Sequence, residues 1–160
     1  IPNQIAQFLH PQMGYKYAQT HNAIDLWPYF KKITIWMPIC LIPVALIGIA
    51  SCPYVITCFF PKYNESIVPI CIMIVGFMFS TTFYTRGFLI TIKAYKLVIC
   101  LELMDMLLFV GLPAILIKMY PDNILNAMSA GLSLGYIISY FVNIVFVKHE
   151  IFKPKYNSNI

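Results

Sequence analysis

The sequence predicts an all-α integral membrane protein: a bundle of four transmembrane helices preceded by the tail of another helix. Three observations lead there. First, of 160 residues 60% are hydrophobic and 11% charged, with a mean hydropathy of +0.76, whereas a soluble domain carries about 25% charged residues. Second, the apolar residues are gathered into runs long enough to cross a ~30 Å hydrocarbon core, which takes roughly 20 residues as a helix. Third, these runs are too long and too uniformly apolar for barrel strands of about 10 residues with alternating polarity. Too little polar sequence remains to cover the core of a soluble bundle, and the richness in Ile, Leu, Val and Phe excludes disorder.

Residues 1–32 read as the end of a preceding helix and a cytoplasmic connection. Ile1 to Leu9 looks like a helix tail reaching His10 and Pro11, followed by a polar stretch from Gln12 to Asn22. There is no initiator Met, and no basic segment followed by an apolar run and a small-residue cleavage site, so a signal peptide is not expected; the start reads as a cut within a longer protein. Asp25 is positioned to cap a helix entering through Trp27, Pro28 and Tyr29, an aromatic belt of the kind found at membrane interfaces.

The first span, 33–60, carries no Asp, Glu, Lys or Arg. Pro38, Pro43 and Pro53 lie inside it, each removing a backbone donor, so kinks are expected that neighbouring helices must compensate. A kinked helix is a candidate moving part; simple tolerance of proline in a membrane helix is the alternative. The second span, 66–92, is interrupted only by Arg86, and Pro69 falls in its first turn, where a missing donor costs little. The third, 94–117, holds Glu102 and Asp105, and Pro113 is placed to bend its far end. The fourth, 123–147, is again free of charge. There Ala127, Gly131, Gly135, Ser139 and Asn143 recur at every fourth residue and stack on one helix face, the small-residue seam that lets membrane helices approach closely. Lining a substrate path is the second reading of that face. Residues 148–160 form a cytoplasmic tail.

Orientation follows from the 11 basic residues, because positive loops are retained on the cytoplasmic side. Lys16, Lys31 and Lys32 precede the first span, Arg86, Lys93 and Lys96 cluster at the second hairpin, and Lys148, Lys153 and Lys155 follow the last. The other two connections hold only Lys62 and Lys118. This alternation predicts a multi-pass protein with its C-terminus in the cytoplasm. The net charge of +5 is therefore a topology signal, and nucleic acid is not expected as a partner.

Arg86, Glu102 and Asp105 are the candidate functional site, because an ionised group near the bilayer centre costs at least about 2.5 kcal/mol and marks a pathway or a paired site. Glu102 and Asp105 are three residues apart and share a helix face. A hairpin turning near Ala94 would set Arg86 and Glu102 at equal depth, roughly 10 Å inside the boundary at 1.5 Å per residue. Arg86 is expected to pair with Glu102 or Asp105. Either the pair is a static salt bridge, or the remaining carboxylate meets a cation, a proton or a charged substrate.

Cys40, Cys52, Cys58, Cys71 and Cys100 have no Cys-x-x-Cys spacing or nearby His and read as small apolar fillers, so neither a metal nor a disulfide framework is expected. No phosphate-cradling loop, His-Glu-x-x-His or Gly-x-Ser-x-Gly occurs. Enzymatic activity and a cofactor are accordingly not expected. Asn64-Glu65-Ser66 matches a glycosylation sequon but lies against the membrane.

The run IPNQIAQFLHPQMGYKYAQT, the LWPYFKK segment, the proline-containing span and the hairpin CFFPKYNESIVPICIMIVGF together resemble the C-terminal part of bacterial polysaccharide flippases, the O-antigen and capsule translocases of the multidrug and oligosaccharidyl-lipid exporter superfamily. Phe60-Pro61-Lys62-Tyr63 followed by Glu65, Ser66 and Pro69 carries most of the likeness. The resemblance implies a larger two-lobe transporter of 12 or more spans in the inner membrane, of which this chain is the end. It also implies translocation of an undecaprenyl-pyrophosphate-linked oligosaccharide, with a polysaccharide polymerase and other assembly proteins as partners. It transfers no family residue role to Arg86 or Glu102. The alternatives are a cation-coupled multidrug exporter of the same superfamily and a four-helix membrane scaffold that transports nothing.

Overall fold

A computed structural model describes residues 2–20, 22–80 and 82–153. Six α-helices follow one another: α1 (Pro2–Thr20), α2 (Trp27–Phe59), α3 (Ile67–Met78), α4 (Thr82–Thr91), α5 (Tyr95–Met119) and α6 (Ile124–Ile151). Short 3₁₀ turns lead into α2, α3 and α6, and no strand occurs among the described residues. Three helical segments, Ala23–Phe59, Tyr95–Met119 and Pro121–Ile151, are long and apolar enough to cross a membrane. Large apolar side chains such as Ile39, Leu46 and Ile47 on α2, Leu103, Leu107 and Val110 on α5, and Phe141 and Val145 on α6 are exposed. That outward apolar surface suits a bilayer as the surrounding medium, since a monomeric soluble protein seldom exposes so large a patch. The protein is an all-α membrane protein.

The order of packing makes α6 the central helix. It packs against α5 and α3 and touches α4, while α2 packs on α3 and α1 on α4. The seam of small residues explains the closeness. A β-carbon placed on Gly131 would stand 2.6 Å from the Pro113 nitrogen, and one on Gly135 would stand 3.0 Å from the Phe109 ring, so α5 and α6 touch backbone to backbone. On another face, Gly76 of α3 meets Ser133, whose Oγ donates to the Ile72 carbonyl at 2.8 Å.

The apolar core sits toward the end where α1, α4 and the C-terminal part of α6 meet. Phe30 is fully buried there, stacked on Trp27 and Tyr84 and tilted against Phe88, with Leu26, Leu89, Ile92, Leu101, Val147 and Ile151 around them. This cluster fixes the position of α4.

Several elements depart from expectation. Residues 66–92, expected as one helix, are two. The Phe79 and Ser80 amides bond the carbonyls of Gly76 and Phe77, three residues back, which tightens the last turn of α3 and ends it. The polar stretch after Pro11 is not a connection but a continuation of α1 to Thr20. Packing overrides composition there: Met13 is buried, and Tyr84 Oη donates to its sulfur at 3.4 Å. The cap before α2 is Asn22, whose Oδ1 accepts from the Ile24 amide at 3.0 Å; Asp25, the expected cap, lies inside the 3₁₀ turn. Cys40, Cys58 and Cys100 are exposed, so only Cys52 is a buried filler, with Cys71 in between. Ile1, Lys155 and the remainder of the tail expected over 148–160 beyond Lys153 lie outside the described residues.

Helix α2 is continuous through Pro38, Pro43 and Pro53. Pro38 cannot donate to the Thr34 carbonyl four residues before it. Tyr140 of α6 supplies the missing bond, its Oη donating to that carbonyl at 3.0 Å. A neighbouring helix thus satisfies the group that proline freed.

Candidate functional site

The turn between α4 and α5 sets the site. The Ala94 amide bonds the Leu89 carbonyl and the Lys93 amide bonds that of Ile90, the paired bonds of a Schellman motif. The chain reverses, and α5 runs back alongside α4 so that residues equally far from the turn face one another. Arg86 and Glu102 are such residues, and Asp105 follows Glu102 one turn later on the same face.

The Arg86 guanidinium reaches three partners. Its Nε donates to Glu102 Oε1 at 2.8 Å, its Nη1 to Asn143 Oδ1 at 2.7 Å, and its Nη2 to Asp105 Oδ2. Ser139 Oγ donates to Asp105 Oδ1 at 2.6 Å and accepts from Asn143 Nδ2 at 3.0 Å. The bonds close into a ring running Arg86, Asp105, Ser139, Asn143 and back to Arg86. All four members are buried, with Ser139 and Asn143 fully so. Arginine suits this place because its planar fork offers several donors in fixed directions and stays charged.

Glu102 stands apart. Its side chain is 61% exposed, against 9% for Arg86 and 7% for Asp105. One cation faces two carboxylates, so the cluster as ionised carries one net negative charge, and the open carboxylate of Glu102 is where that charge meets the surroundings. Such an arrangement can hold a proton or a cation, or donate and accept with a polar group passing along α5.

The expected pairing of Arg86 with Glu102 or Asp105 takes the form of both at once. Ala127, Gly131, Gly135 and Ser139 line one side of α6, as their spacing implies, but the stripe has two parts. In its first half Ala127 is buried and Gly131 and Gly135 pack closely against α5, whereas Ser139 and Asn143 supply polar contacts to the charges. Sequence reasoning missed this second role. The signal was present: the every-fourth-residue pattern turns from small and apolar to hydrogen-bonding at Ser139. The prolines at 38, 43 and 53 are on α2 and take no part in the ring.

No protein-family model matches the chain, and neither a curated protein nor a solved structure matches it.

Proposed function

We propose that this chain is part of a polysaccharide flippase, moving an undecaprenyl-pyrophosphate-linked oligosaccharide across the bacterial inner membrane for surface polysaccharide synthesis. The single observation that carries most weight is the open carboxylate of Glu102, held by buried Arg86 within the span of α5. A charge kept there is costly unless it is used or compensated. A second support is the discontinuity between α3 and α4, four residues before Arg86. Taken as one broken crossing, these helices would make a fourth span, and under that reading both ends of the chain lie on the side where the basic loops are expected. Broken helices beside polar groups are where transporters commonly build their sites. Sugar headgroups cannot cross hydrocarbon unaided, so such a site would border the polar cleft through which they pass, in company with a polymerase and other assembly proteins.

One observation favours a scaffold without transport: Arg86 already engages both carboxylates, which a purely structural lock would also do. Deletion of the full-length gene separates the readings. The flippase reading expects loss of surface polysaccharide, restored by the wild-type gene and poorly restored by Glu102→Gln. Intact polysaccharide with increased drug sensitivity would favour an exporter, and no phenotype in either assay would favour the scaffold.

A further inference from the structure

A second polar feature lies at the end of the bundle where the α4–α5 turn meets the C-terminal end of α6. A cavity of about 630 Å³ opens there, lined by Lys93, Lys96 and Lys153, by Glu150, and by Tyr95 and Leu97 among others. Three cations and one carboxylate leave it with two net positive charges, and the carboxylate is already occupied, since Glu150 is ion-paired to Lys153. The start of α5 forms one wall. No side chain caps that end, and the N-terminus of a 25-residue helix adds its own positive field and unpaired N–H groups.

The backbone at Lys93 is unusual. Its φ is +60°, the left-handed region, and it is the sole non-glycine residue with positive φ among the described residues. The position after a Schellman-type helix end ordinarily belongs to glycine. A lysine there costs about 1–2 kcal/mol of backbone strain relative to an unstrained residue, yet the strain delivers a cation to the mouth of the cavity. Further along the α5 wall the surface turns apolar: Cys100 lines the cavity and is exposed, and Ile99 and Leu103 beside it on α5 are exposed as well.

We infer that this cavity binds the phosphate of an anionic phospholipid headgroup, with Lys93, Lys96 and Lys153 around the phosphate and an acyl chain lying along Ile99, Cys100 and Leu103, which share one outer face of α5 with Lys96. A free phosphate would use the same lysines but would gain nothing from the apolar wall, which is why the lipid is favoured. Basic pockets at the membrane boundary between spanning helices are recognised as lipid headgroup sites for this electrostatic reason. The inference is independent of what the protein transports.

The test uses the full-length protein in nanodiscs of phosphatidylcholine doped with phosphatidylglycerol, with bound lipid counted by native mass spectrometry. Lysines near a membrane surface contribute about fivefold each in affinity for anionic lipid, so Lys93→Gly, Lys96→Gln and Lys153→Gln combined should lower phosphatidylglycerol retention by about a hundredfold. Lys62→Gln with Lys118→Gln, outside the cavity, should leave it unchanged. Lys93→Gly alone relieves the strained φ, so it should keep or raise the unfolding temperature while still reducing retention; this separates lost binding from lost folding. Equal retention by the triple variant and wild type would overturn the site. Protection from unfolding by inorganic phosphate alone, without phosphatidylglycerol selectivity, would overturn the lipid assignment.

Discussion

Gly131 of α6 lies so close to Pro113 of α5 that a β-carbon on the glycine would stand 2.6 Å from both the proline nitrogen and its α-carbon. No side chain can occupy that space, so the contact sets how near the two helices come, and with it the reach of Ser139 to Asp105 two turns further on. The packing seam and the polar ring are one structure read at two depths.

Substitution at this contact should be costly in a way that a second glycine controls. Gly131→Ala requires α5 and α6 to separate and should destabilise by about 1–3 kcal/mol, the usual range for overpacking. Gly111→Ala meets nothing within 4 Å and should be neutral or stabilise by up to about 1 kcal/mol through helix propensity. Unfolding of both variants in the same detergent checks the contrast; equal stability would mean that the close approach is not retained in the membrane.

The bond from Tyr140 to the Thr34 carbonyl should matter only while residue 38 is proline. Tyr140→Phe leaves that carbonyl unpaired and should cost about 1 kcal/mol. In a Pro38→Ala background the alanine amide supplies the bond from within α2, so the same change should cost almost nothing. A double-mutant cycle measures the coupling, and simple additivity would refute this account of how the missing bond is compensated.

Removing Asp105 should be the most damaging single change in the ring. Asp105→Leu strips buried Arg86 of one counter-ion and leaves the Ser139 hydroxyl without its acceptor. Breaking a buried pair costs about 3–5 kcal/mol, and the lower end is expected here because Glu102 continues to hold Arg86 Nε. Adding Arg86→Met should recover much of the loss. If the double variant is no more abundant in the membrane than Asp105→Leu alone, the ring is not the source of the instability.

Glu102→Gln should behave in the opposite manner. Glutamine keeps a side-chain oxygen that can accept from Arg86 Nε, and Asp105 remains as the counter-ion of Arg86, so membrane levels and unfolding should be close to wild type. Reduced polysaccharide export by such a stable variant would assign the defect to function. Normal export would leave the carboxylate with a packing role only.

These residues also show how far the sequence could be read. The helical, membrane-embedded class was legible because the bilayer imposes length and apolarity on every residue of a span, and Arg86, Glu102 and Asp105 were legible because charge in such a span is conspicuous. The division of 66–92 was not, since Gly76 and the polar residues from Ser80 to Thr82 are each tolerated within a membrane helix. The extension of α1 past Pro11 was equally hidden, because Met13 gains its burial from α4, far away in sequence.

By itself, then, the sequence determined the solvent in which this protein lives, the placement of the long apolar helices and which residues bring charge into apolar runs, all properties of local composition. Only the tertiary structure decided that one arginine serves both carboxylates, that Ser139 and Asn143 complete the ring, and that Tyr140 repairs the gap left by Pro38. Each depends on side chains from different helices arriving at one depth. That register follows from how closely α4, α5 and α6 pack, which no single stretch of sequence specifies.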